Sequence, residues 1–207
     1  MATPYVLTFK RRFAGNIGPF LASAFGILIA IAAGTAPAQA AITVMGSGLA
    51  QSCYKAAEFG GDVRDGINTC TLALNQEPLN VHDRASTYVN RGILRAPSNP
   101  KGALTDYNEG IALDPNLAEA YVDRGAALLS LKRYHAALVA IDKGLALHVN
   151  RPQIAYYDRA VAHESLGDIR SAYFDYQHAV ALSPNFTLAK QQLTRFKVIR
   201  EPATHNS

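Results

Sequence analysis

One short block of sequence returns three times. Tyr88-Val89-Asn90-Arg91-Gly92 is followed by Tyr121-Val122-Asp123-Arg124-Gly125 and then by Tyr156-Tyr157-Asp158-Arg159-Ala160, at intervals of 33 and 35 residues. Behind each comes a second block: Ala103-Leu104 with Tyr107, Gly110-Ile111 and Leu113; Ala137-Leu138 with Ile141, Gly144-Leu145 and Leu147; Ala172-Tyr173 with Tyr176, Ala179-Val180 and Leu182. Offsets of three, four and seven put these residues on one face of a helix. Asp114-Pro115-Asn116 and Ser183-Pro184-Asn185 end two of the second helices, because Pro cannot continue the hydrogen-bond ladder. A helix pair of this size cannot bury its apolar face alone and does so by stacking on its neighbours.

The aromatic, small and proline positions, in this order and at this period, resemble the tetratricopeptide repeat. The resemblance implies an all-α fold: an α-solenoid of about four antiparallel helix pairs with a C-terminal capping helix. Three good repeats span 85–116, 118–151 and 153–185, and a degenerate one spans 48–81, where Gly66, Cys70, Ala73 and Pro78 keep the second-helix spacing. Its first helix, roughly Leu49 to Glu58, places Cys53 or Tyr54 where the others have Gly92, Gly125 and Ala160, the small residues that let paired helices approach. Val149 stands where a Pro is expected. Residues 187–200 are predicted as the capping helix, with Leu188, Leu193 and Phe196 on the last repeat, and 201–207 as a disordered polar tail.

Residues 1–40 have the parts of a secretory signal: Lys10, Arg11 and Arg12, an apolar run from Phe20 to Ala33, and Ala38-Gln39-Ala40 before Ala41. The run is about 14 residues, against the roughly 20 needed to span a bilayer. Cleavage after Ala40 is therefore expected, with 41–47 as a linker and a periplasmic or secreted chain; the alternative is a retained membrane anchor. In an exported chain Cys53 and Cys70 are expected to form a disulfide rather than a metal site, since two thiols without a nearby His pair cannot complete a zinc shell. The bridge would staple the weakest repeat; two reduced, buried thiols are the alternative.

Of 20 Lys and Arg against 16 Asp and Glu, the three at 10–12 precede every acid, which leaves a balance of +1 beyond residue 40. That near-neutral surface argues against a nucleic-acid partner, and membrane contact is expected only through the signal segment. No HExxH, nucleophile elbow, phosphate-binding glycine loop or CxxC occurs, and the histidines are dispersed. No catalytic residue, metal, cofactor or small-molecule substrate is implied.

Members of the family bind peptides or helices on the concave surface made by the first helix of each pair. The residues assigned to it are Val89, Asn90 and Ile93, then Val122, Asp123, Ala126 and Leu129, then Tyr157, Asp158, Val161 and Glu164, an apolar lining with an acidic stripe. Some chaperone-associated members hold a terminal carboxylate with Lys, Asn and Arg; only Asn90 matches here, and Asp123 and Asp158 repel an anion. A protein or peptide partner with a basic or neutral apolar segment is expected, in the envelope of a bacterium. Asp123 and Asp158 have a second reading as register-setting ion pairs with Arg91, Arg124 or Arg159. The competing roles are a self-associating structural protein and an accessory subunit of an enzyme complex; the sequence leaves oligomeric state open.

Overall fold

The computed structural model describes residues 5–9, 41–44 and 48–200, with side chains from 41 to 197. The apolar run, the Ala38-Gln39-Ala40 site and the polar tail lie outside these residues. Four antiparallel helix pairs follow one another: α1 (Leu49–Phe59) with α2 (Val63–Gln76), α3 (Val81–Arg95) with α4 (Pro100–Leu113), α5 (Ala118–Ser130) with α6 (Tyr134–Ala146), and α7 (Pro152–Ser165) with α8 (Ile169–Leu182). Among the described residues no helix is long and apolar enough to cross a membrane.

Small residues set the spacing inside a pair. A Cβ at Gly92 would come within 2.5 Å of the buried Tyr107 ring, so only glycine lets α3 lie against α4 at this distance. The apolar clusters run through the stack, with Ala85, Val89 and Tyr107 in one and Ala137, Ile141 and Ala155 in the next.

The turns differ in how they end their helices. Lys132 and Gly167 hold the same place after α5 and α7, both with positive φ, 58° and 86°. His148 (φ 59°) follows α6, and there the Val149 N–H donates to the Gly144 carbonyl at 3.3 Å. Proline has no N–H for that bond, which accounts for Val149 at a position where the other repeats carry Pro.

In the first repeat the Cys53 and Cys70 sulfurs are joined, with Cα atoms 4.7 Å apart, and both residues are fully buried against Leu94. Glycine at the N-cap of α1 offers no side chain. Instead Glu77, just past α2, accepts from the Leu49 and Ala50 N–H groups at 2.5 and 2.9 Å.

The C-terminal cap differs from expectation. α9 (Thr187–Leu193) ends seven residues short of 200, and the chain continues as strand β2 (Phe196–Arg200), which pairs antiparallel with β1 (Tyr5–Phe9), Tyr5 opposite Arg200 and Phe9 opposite Phe196. The run Phe196-Lys197-Val198-Ile199-Arg200 is rich in aromatic and β-branched residues, which favour a strand over a helix. Phe196 and Leu193 still cover the last repeat, packing with Tyr176 and Ala189. β1 falls inside the segment expected to be removed on export.

Candidate functional site

The first helix of each of the last three pairs contributes the third residue of its repeated block to one column: Asn90 on α3, Asp123 on α5 and Asp158 on α7. All three are at least nine-tenths buried. Of the neighbours assigned to the same surface, Val89 is fully buried against Gly110, between the two helices of its own pair, and Val122, which packs against Gly144, is 5% exposed.

The rest of the surface lines an open, groove-like cavity of about 930 Å³. Ile93, Ala126, Leu129, Tyr157, Asp158 and Val161, all anticipated, line it together with the end of α1, Ala56 to Phe59, which the sequence gave no reason to include. Arg151, at the N-cap of α7, closes one side: its Nη2 donates to Glu58 Oε1 at 3.2 Å, across 93 positions of chain. The superhelical turn has therefore brought the first helix of the stack opposite the seventh.

Asp123 faces a small recess beside this cavity, lined also by Glu119, Val122, Val149, Arg151 and Ile154. Its Oδ2 is buried without a hydrogen-bond partner among the described residues. Burial pushes its carboxyl well above the usual carboxylate range, the charges of Asp158 and Glu119 add to that, and Arg151 opposes it. Burial alone pushes Asp158 up to about 7. At neutral pH the column thus holds carboxyl groups whose charge depends on what lies beside them.

Asn90 is already engaged. Its Nδ2 donates to the Ile42 carbonyl and its Oδ1 accepts from the Ile42 N–H, both at 2.8 Å. Residues 41–44, expected as a linker, lie along the α1–α3 end of the concave surface.

The arginines of the repeated block turn away from the column. Arg91 pairs with Asp106 on α4, Arg159 with Asp175 on α8 and Asp142 on α6, and Arg124 reaches Asn108 at 3.5 Å. Each also lies over the tyrosine three positions earlier, Tyr88, Tyr121 or Tyr156, at 5.1 to 5.4 Å. Register-setting pairs do form, but with second-helix acids in place of Asp123 and Asp158. The signal for them was present, since Asp106 and Asp175 each precede the buried tyrosine of a second block. Among the described residues no cluster of three or more His, Cys, Asp or Glu is arranged to hold a metal.

Stacked helix pairs with a concave groove on the first helices define a helical-repeat protein. The chain carries the tetratricopeptide repeat: the family model for that repeat matches residues 154–186, and the structural neighbours share the stack. It is 32% identical over 104 residues to a DnaJ homolog subfamily C member 7 homolog of Schizosaccharomyces pombe, covering 48% of this chain and 22% of that one. It spans about a quarter or less of the length of the curated relatives it matches. Among solved structures it resembles MamA (23% identity, TM-score 0.58, 72% of this chain and 82% of that one). It also resembles the first such domain of Spaghetti (RPAP3) bound to the HSP90 peptide SRMEEVD (24%, TM-score 0.52, 55% and 92%).

Proposed function

We propose that the chain is a non-enzymatic docking module that seats a partner segment in the groove between α1 and α7, preferring an apolar segment with a Lys or Arg set against Asp158 and Asp123. The observation that carries this reading is Asp158 itself, a buried carboxylate at the wall of an apolar cavity and without a neighbouring arginine of its own repeat. Burying a carboxylate costs stability unless something offsets it, and a cationic guest does so. The acidic peptide held by the RPAP3 domain would meet two carboxyl groups here, so the guest differs in charge although the stack is alike. The setting belonging to this reading is the envelope of a bacterium, with an oxidised Cys53–Cys70 bridge and a mature chain from Ala41. N-terminal sequencing of the exported chain tests the last point: removal at Ala40 also deletes β1 and leaves β2 without its partner strand.

Titration calorimetry at pH 8 with two short peptides, alike in leucine and valine but carrying either lysine or glutamate, tests the docking itself. The lysine peptide should bind, and Asp158→Asn should weaken it about tenfold, the loss of one partly buried charge contact. Equal binding of both peptides, or no effect of Asp158→Asn, would remove the basis for this reading.

A further inference from the structure

We propose that the α1–α3 end of the groove reads the main chain of an extended, uncharged, apolar segment, and that Ala41–Val44 is the chain's own occupant, which a partner segment must displace. This rests on the reading of the concave surface as a docking groove and assigns that groove a second, chemically distinct half.

The column explains the division. A neutral amide carries both a donor and an acceptor, whereas an ionised carboxylate only accepts. Asn90 therefore takes both the N–H and the C=O of one residue, Ile42, as a neighbouring β-strand would, whatever the pH, while Asp123 and Asp158 can do so only when protonated. Hydrogen bonds to backbone set no side-chain identity; the surrounding pockets do. Here Ala41 and Ile42 pack against the cluster of Val89, Ile93 and Leu117, and Val44, 3% exposed, packs with Ala50 and Ala73. An extended β-branched segment fits those contacts and a charged one does not.

The occupant is also tethered. Only positions 45–47 separate Val44 from Gly48. A tether this short gives an effective concentration in the millimolar range, so a free segment of equal intrinsic affinity competes poorly until the resident one is released. Ala41–Val44 then sets a threshold: partners that engage only the Asn90 end are excluded, and those that also bring a cation to Asp158 gain the contacts needed to displace it.

The probe is acetyl-Ala-Ile-Thr-Val-amide, the sequence of the resident segment, added to the full chain. Ile42→Pro removes the N–H given to Asn90, and Val44→Asp makes burial of the segment unfavourable. The double variant should bind the probe at least tenfold more tightly than the unaltered chain, and adding Asn90→Ala should abolish that gain. In the unaltered chain a saturating probe should speed hydrogen exchange at the Ile42 amide while α3 to α8 stay protected. Equal affinity of the two chains overturns the proposal, as does no binding by a double variant with unchanged helicity and melting. If the double variant unfolds, or if Ile42→Pro alone lowers the melting temperature as much as a core substitution, Ala41–Val44 is an integral part of the core and the proposal fails. Retained discrimination between lysine and glutamate peptides in any of these cases leaves the docking reading standing and removes this one alone.

Discussion

Arg91 holds Asp106 with its Nε and Nη2 together, the shortest contact 2.7 Å, and Arg95 adds a third donor at 2.8 Å. Asp106 is 1% exposed, so this pair is sealed between α3 and α4. The α7–α8 pair repeats it with Arg159 and Asp175. The α5–α6 pair lacks the acid: Ala140 holds the corresponding place, and Arg124 Nε is buried without a hydrogen-bond partner among the described residues.

The three arginines should therefore differ on removal. Arg159→Ala strands the buried Asp175 and should cost about 3–5 kcal/mol, Arg91→Ala leaves Asp106 its Arg95 donor and should cost less, about 1–3 kcal/mol, and Arg124→Met strands nothing and should change stability by less than about 1 kcal/mol. Urea denaturation midpoints at constant m-value check this; equal losses at all three positions would contradict it.

Stability should fall as pH rises through the acid range. Asp158 is raised by burial to about 7, and Asp123 is raised as well, so between about pH 4 and 7 the folded chain holds protons that the unfolded chain has released. The part contributed by Asp158 is full near pH 4 and lost as pH rises through about 7, and Asp123 acts in the same direction, which gives a melting temperature higher at pH 5 than at pH 8. Asp158→Asn should raise the pH 8 melting temperature and flatten the profile. The same substitution weakens the lysine peptide, so one residue should trade stability against binding.

Lys132 and Gly167 occupy equivalent left-handed turns, but only the second is glycine. Lys132→Gly should stabilise the chain by about 0.5–1 kcal/mol, and Gly167→Ala should destabilise it by a similar amount, because a Cβ is disfavoured at positive φ. Thermal melts of the two single variants test both signs.

The cap on α1 comes from a different helix. Glu77→Ala leaves the Leu49 and Ala50 N–H groups without their acceptor and should cost about 1–2 kcal/mol. Hydrogen exchange should report the loss in α1 first, with α3 to α8 unchanged.

The periodicity determined the helical stack, because a face of apolar residues returning every three or four positions, punctuated by Pro and repeated at 33 and 35 residues, has few other ways to be buried. It also determined the column Asn90, Asp123, Asp158, since a residue at a fixed place in a repeat takes a fixed place in the superhelix. What each member of that column does was decided only in three dimensions. The sequence treats the three alike, yet Asn90 is bound by Ile42 from 48 positions away, Asp158 faces a cavity walled by α1, and Asp123 lies near Arg151. Contacts such as Glu58 with Arg151 and Glu77 with Leu49 have no period to reveal them, because they join different repeats through the curvature of the whole stack. The strand at Phe196–Arg200 has the same cause: its partner, Tyr5–Phe9, is at the other end of the chain, and local pattern carries no record of a neighbour that distant.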